Sequence, residues 1–341
     1  MKRIDWLDSA RGIGIVLVVI GHTLGGLIDS PIGAGLGTFR ALFFAIYTFH
    51  MPLFFLLSGL MVPHRLERGT GPFLRGLLPS VVWPYFLWSV VQYTIIFALG
   101  SAVNTPVTDY WPVVLAFPWS TYSQFWFLYA LFWLHVLAAL VVPRYGAGGL
   151  LLLALALKVL APVLLLPVVV RLVCNHALFY AIGTMLAPDG LARVAVERPI
   201  AERAGLFPAL GVLALAATFM ALPQFGGEVD FAAASSPVLS HIAWRFPALG
   251  AAVTCTIACI GLASLRRLAG NALLGALGRL TMPIFVLHVM FVAGTRIALM
   301  RLAHVDNPWV LAPLLVLAGL AGPLIVERAL RPLGLKRILG F

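Results

Sequence analysis

The sequence predicts an all-α, polytopic membrane protein with about ten transmembrane helices. Three observations carry that expectation. Of 341 residues, 62% are hydrophobic and only 10% are charged, against about 25% charged in soluble domains. Apolar runs of the ~20 residues needed to cross a bilayer recur along the whole chain. Finally, the basic residues alternate between the segments joining those runs as the positive-inside rule requires.

The spans fall at about 8–27, 39–62, 77–99, 124–142, 148–166, 168–187, 206–222, 239–264, 280–299 and 309–327. No repeat or low-complexity linker divides them, so residues 1–341 are expected to form a single domain. With a cytoplasmic N-terminus, the inner segments hold 17 of the 23 Lys and Arg residues, while the outer segments at 28–38, 100–123 and 222–238 hold none and carry Asp29, Asp109, Glu228 and Asp230. Ten spans place both termini in the cytoplasm, which in a bacterial cell means the inner (cytoplasmic) membrane. The net charge of +11 is then explained by orientation and by anionic membrane lipids, and no nucleic-acid partner is needed. The first apolar run follows a basic start but lacks a small-x-small cleavage site, so it is expected to remain as the first span.

That first span carries two ionisable side chains, Arg11 and His22, separated by ten apolar or glycine residues. Eleven helical steps bring both to one face, roughly 16.5 Å apart along the axis. Arg11 would lie near the inner surface and His22 deep in hydrocarbon, where an ionisable group marks function by default. Asp8 sits three residues before Arg11, a spacing that allows a pair. Arg11 also reads as a simple topology anchor. Burial favours neutral imidazole, so His22 suits a general base acting near neutral pH.

The second span contains Phe49-His50-Met51-Pro52. Pro52 cannot donate to the carbonyl of Thr48, so a kink is expected beside His50. Ser58 and Gly59 suit close helix approach. Arg65, Arg68 and Arg75 follow at the membrane boundary; they read either as topology charges or as a cradle for coenzyme A phosphates. Trp126 at the outer end of the fourth span reads as an interfacial belt residue. Measured from the flanking arginines, His22, His50 and His288 fall roughly 16, 22 and 14 Å below the inner surface, and His135 lies at a similar depth. A shared polar cavity is expected from that coincidence. A lone membrane histidine is otherwise an interhelical hydrogen-bonding residue.

Six basic residues remain in the outer half: Arg40, Lys158, Arg171, Arg245, Arg296 and Arg301. They read as side chains snorkelling to outer headgroups or as an outward-facing vestibule for an anionic acceptor. Asn175 and His176, beside Arg171, are candidates for sugar hydroxyl contacts. Cys174, Cys255 and Cys259 lie in apolar stretches and read as packing residues. The chain has no phosphate-binding loop, no dinucleotide glycine pattern and no zinc-type Cys/His spacing, so neither ATP nor a metal is expected.

Several of these segments resemble the integral-membrane acyltransferase-3 family of sugar and polysaccharide O-acyltransferases. The similarity is carried by Leu7-Asp8-x-x-Arg11 through Gly21-His22-Thr23, by Phe49-His50-Met51-Pro52 through Ser58-Gly59, by Leu78-Pro79 through Pro84-Tyr85-Phe86, by Trp126-Phe-Leu, and by Leu277-Gly278-Arg279 through His288. The resemblance implies ten spans and an acyl-CoA donor, acetyl-CoA in the simplest case, bound from the cytoplasm. It also implies a hydroxyl acceptor on a cell-surface or lipid-linked sugar. His22 and Arg11 match the family's essential pair, and Arg75 loosely matches a further arginine. On this reading His22 is the general base or itself accepts the acyl group, Arg65 and Arg75 steady the CoA phosphates, and Asp8, His50 and His288 support the site. Many members carry an additional extracytoplasmic hydrolase-like domain after the last span; none is expected in this sequence, which ends at Phe341. The alternative is a secondary transporter with the membrane histidines as a proton relay, although the paired broken helices usual there have only Pro52 to suggest them.

Overall fold

A computed structural model describes residues 5–33, 35–161, 164, 166–186 and 238–341. Among these the protein is helical throughout and contains no strand. Seven helical stretches are long and apolar enough to cross a membrane: Asp5–Ile28, Gly37–Leu66, Thr70–Ala102, Ser123–Leu160, Val168–Leu186, Thr281–Leu302 and Pro308–Leu333. The chain is therefore a polytopic all-α membrane protein. The expected span at 206–222, the outer segment 222–238 with its acidic residues, and the basic residues Lys2, Arg3, Arg193, Arg198 and Arg203 lie outside the described residues.

In chain order the main helices are α1 (Asp5–Ile28), α2 (Gly37–Gly59), α3 (Val62–Leu66), α4 (Thr70–Leu77), α5 (Trp83–Leu99), α6 (Trp111–Ala116), α7 (Trp126–Leu160), α8 (Val168–Leu186), α9 (Val238–Ser264), α10 (Ala272–Arg279), α11 (Thr281–Leu302) and α12 (Pro308–Leu330). Pro52 lies inside α2, whose helical run continues past it to Gly59. A straight run the length of α7 would reach ~52 Å, well beyond a ~30 Å hydrocarbon core. The chain resolves this at Gly146, whose φ of 67° and ψ of −178° break the helix in two. Only glycine adopts that combination cheaply, and the break falls between the expected spans 124–142 and 148–166. The second segment stops at Leu160, earlier than expected.

The third crossing begins earlier than its apolar run. Arg75, expected between spans, is in the last turn of α4. A π-turn, Leu78–Val82, joins α4 to α5. Pro79, at its start, lacks an amide donor, and a widened turn absorbs that missing bond without ending the helix. At the last crossing the Asn307 side chain caps α12 by accepting from the Trp309 amide at 2.9 Å, with Pro308 at the first helical position.

The helices cluster into two compact units. One comprises Met1–Gly14, Tyr47–Arg75 and Ala130–Gly278; the other comprises Ile15–Ile46, Gly76–Tyr129 and Arg279–Phe341. In the first, small residues bring backbones together. A Cβ at Gly59 would strike the Tyr180 carbonyl, and one at Gly183 would strike that of Leu56, so α2 and α8 touch main chain to main chain. Gly12 meets Leu274 and Gly278 meets Asp8 in the same way, locking α1 to α10. The Ser9 hydroxyl strengthens that end by donating to the Leu268 carbonyl at 2.8 Å.

In the second unit, α5 is held at two levels. Near its start, the indole N–H groups of Trp83 and Trp88 donate to the carbonyls of Ile338 and Leu339 at 2.6 and 2.9 Å, and Trp88 stacks on Phe341. One turn deeper, the side chains of Gln92 and Gln124 exchange amide hydrogen bonds at 3.2 and 2.7 Å, both groups being almost fully buried. The Tyr85 hydroxyl, which can donate only one proton, lies 2.7 Å from the Phe117 carbonyl and 3.0 Å from that of Ser120, tying α5 to the segment after α6.

Candidate functional site

Helix α1 contributes to both units: residues up to Gly14 belong to the first and those from Ile15 onward to the second. Arg11 and His22 are thus parts of one unbroken helix, as their spacing predicts, but each has its own set of neighbours.

In the first unit, Arg11 is half-buried on α1, with Asp8 and Arg65 as its charged neighbours. Asp8 offsets the positive charge of Arg11, and Arg65 adds to it. Arg65, at the end of α3, is itself exposed and is an electrostatic neighbour of two further side chains, His135 on α7 and Tyr180 on α8. Those two rings lie 5.4 Å apart. His135 also stacks on Phe73 at 5.5 Å, and its Nδ1 donates to the Leu131 carbonyl at 2.8 Å. Tyr180 is fully buried, and its hydroxyl has no hydrogen-bond partner among the described residues. A buried hydroxyl without a partner costs about 1–3 kcal/mol, and such a group in a native fold calls for an explanation such as a ligand or water. Arg65 is thus the shared electrostatic neighbour of a second guanidinium, a phenol and an imidazole, residue types suited to oxyanions.

Arg75 is exposed on α4 and makes no hydrogen bond or ion pair among the described residues. The structure brings Arg65, but not Arg75, to Arg11. Tyr180 had no signal in the sequence, because a tyrosine in an apolar span reads as a belt or packing residue.

The second unit contains the other end of the pair. The His22 ring lies against that of His288 on α11, with centroids 4.9 Å apart and planes inclined at 56°. His288 is completely buried. Its Nδ1 faces the carbonyls of Ile284 and Phe285 at 3.0 and 2.8 Å, so Nδ1 carries the proton of the neutral ring. Nε2 is left with its lone pair, buried and without a hydrogen-bond partner among the described residues. The neighbouring Thr23 hydroxyl is likewise buried without one. His22 itself is half-buried. An imidazole beside an orphaned acceptor nitrogen can take, hold and release a proton.

His50 belongs to the first unit, where it is buried, meets Tyr47 edge-on at 4.7 Å, and has His176 as an electrostatic neighbour. Of the histidines expected at one depth, His22 and His288 are thus in direct contact. His50 has its own partners.

The acyltransferase-3 family model, described as an acyltransferase domain, matches residues 4–328. Nodulation protein NolL of Mesorhizobium japonicum is 33% identical over 131 residues, a match covering 37% of this chain and 32% of that protein. The chain thus aligns with about a third of that relative. No solved structure matches. With a family match running from the first helix to the last, the chain belongs to the acyltransferase-3 family and is a multi-pass membrane protein.

Proposed function

We propose that the protein is an O-acyltransferase that moves an acyl group, acetyl in our reading, from acyl-CoA to a hydroxyl of a cell-surface or lipid-linked sugar. The contact between His22 and His288 is the observation that carries this reading. With Nδ1 of His288 committed to backbone carbonyls, its buried Nε2 would accept from a ring N–H of the adjacent His22. Such a bond would fix the tautomer of His22 and turn its other nitrogen into the base.

In the proposed reaction the sugar hydroxyl attacks the thioester carbonyl carbon while His22 takes its proton. The tetrahedral intermediate collapses, the C–S bond breaks, and the imidazolium returns the proton to the departing CoA thiolate. No external oxidant, metal or nucleotide is required for that balance. Arg11 and Arg65 would hold the CoA diphosphate, with Tyr180 and His135 lining the same group. Along α1, Arg11 and His22 are separated by roughly 16.5 Å. Asp8 would restrain Arg11, and Arg75 would add a second, more peripheral positive charge for the nucleotide end. His50 is assigned a supporting role on the acceptor side.

We further propose an inner-membrane location with both termini cytoplasmic, supported by the 17 of 23 basic residues that this orientation places inside. Donor would then arrive from the cytoplasm and acceptor from the opposite face. The transporter alternative accounts for membrane histidines but not for membership of an acyltransferase family.

The test is CoA release from acetyl-CoA by purified protein supplied with acceptor glycan. His22→Ala is expected to abolish release at unchanged folded yield, and an active alanine variant would remove His22 from the mechanism.

A further inference from the structure

The meeting of α1 and α11 at His22 and His288 is repeated at a second level. Seven residues beyond His22 comes Asp29, whose amide donates to the Gly25 carbonyl at 2.9 Å and so continues the last turn of α1. Eight residues beyond His288 comes Arg296, on the same helix α11. Asp29 and Arg296 are electrostatic neighbours. The two helices are therefore parallel here, and the second level lies roughly 10–12 Å along them from the first. In the orientation proposed above, that is the outward, acceptor side.

The segment after α5 closes the group. The Asn104 side-chain amide donates to the Gly26 carbonyl at 3.0 Å. Arg301, a further electrostatic neighbour of Arg296, donates to the Ser101 carbonyl at 3.1 Å. All of these residues belong to the second unit.

Arg296 differs from the other outer-half cations. Arg40 and Arg301 are exposed, as snorkelling side chains are, whereas Arg296 is only 6% exposed. A guanidinium offers five N–H donors and accepts nothing, yet Arg296 makes no hydrogen bond among the described residues. Nor does it close an ion pair with Asp29, although each feels the other's charge. A buried charge needs both a counter-charge and filled hydrogen bonds; here the first is present and the second is open. An oxyanion would fill the guanidinium but face the Asp29 carboxylate, and a cation would face Arg296 and Arg301. A hydroxyl suits both groups, because it accepts from the guanidinium and donates to the carboxylate.

We infer that Arg296 and Asp29 form a subsite for hydroxyls of the sugar unit next to the one that is acylated, so that the acceptor is an oligosaccharide rather than a single sugar. This rests on the acyl-transfer reading above and gives its acceptor a minimum length. A reacting hydroxyl at His22 and a hydroxyl bridged between Arg296 and Asp29 are farther apart than the two edges of one hexose ring, and two linked rings span the interval. Asn104 and Arg301 hold the rim around the outer ring.

The experiment uses the full chain in phosphatidylcholine nanodiscs with acetyl-CoA. The acceptors are methyl glycosides of glucose, galactose, mannose and N-acetylglucosamine, each as the monosaccharide and as its β-1,4-linked disaccharide. CoA release and equilibrium binding by calorimetry are measured separately. At least one disaccharide is expected to show KM and Kd roughly tenfold or more below those of its monosaccharide, the worth of one charge-assisted hydrogen bond. Arg296→Met should erase that advantage and leave the KM for acetyl-CoA unchanged. Asp29→Ala, at an exposed position, should also erase it and gives the reading if the methionine variant folds poorly. The subsite is overturned if no sugar binds, if disaccharides bind no better than monosaccharides, or if the advantage survives either substitution in folded protein. CoA release that continues in the last two cases leaves the acyl-transfer reading standing. If no sugar releases CoA while a disaccharide advantage in binding depends on Arg296, the acyl-transfer reading falls and the subsite stands.

Discussion

His22 and His288 meet ring to ring at 4.9 Å, and the nitrogen of His288 that is not bonded to its own helix is buried without a partner. In the proposed mechanism such a nitrogen would order its neighbour without touching substrate, making His288 a positioning residue. His288→Phe keeps the ring and removes the acceptor. It is expected to lower kcat by about 10²-fold, the lower end of what general-base catalysis contributes. The KM for acetyl-CoA should stay constant and the pH profile should shift. A purely structural role would instead lower the folded fraction and leave kcat per folded molecule untouched.

Tyr180→Phe should act in opposite directions on stability and on donor binding. Removing a buried hydroxyl that lacks a partner relieves its desolvation cost, so the donor-free protein is expected to gain about 1–3 kcal/mol. If the hydroxyl meets the CoA diphosphate, the KM for acetyl-CoA should rise about tenfold, the loss of one charge-assisted bond. Thermal unfolding with and without acetyl-CoA, alongside initial rates, measures both effects.

Arg65→Ala and Arg75→Ala should differ. Arg65 shares a neighbourhood with Arg11, His135 and Tyr180, whereas Arg75 is exposed without a hydrogen-bonding partner among the described residues. Arg65→Ala is expected to raise the donor KM at least tenfold, while Arg75→Ala changes it by threefold or less, in keeping with the small worth of exposed charges. Equal effects of the two variants would move the donor's phosphates toward α4.

Gln92→Leu leaves the buried amide of Gln124 with one partner fewer and should cost about 1–3 kcal/mol. Replacing both residues by leucine removes the unsatisfied group and should recover most of that loss. A double-mutant cycle on unfolding midpoints checks the coupling. Additive single effects would mean that each amide depends on other partners.

Much of the fold is visible in the sequence because a bilayer imposes a length and a polarity that few other environments impose. The runs at 8–27, 168–187, 280–299 and 309–327 fall within α1, α8, α11 and α12 or differ from them by a residue or two. The third crossing was harder to read. Thr70–Leu77 is too polar to register as hydrocarbon-embedded, and its helix depends on continuity through a π-turn that proline would ordinarily suggest is a break. For the site, the Arg11–His22 spacing was legible from helical arithmetic, and the similar depths it gave His22 and His288 are consistent with their contact. Tyr180 was not, since its importance comes from having no partner, a tertiary property. Nor was the proximity of Asp29 to Arg296, which depends on how α1 and α11 pack.

Gly146 has a consequence that reaches far from its own position. One left-handed residue divides a 35-residue helix, and that division determines whether the stretch counts as one traverse of the bilayer or two. Every later segment inherits the parity. Alanine at this position would favour an uninterrupted rod, and sidedness reporters fused before and after it should then disagree about which compartment the following helices face.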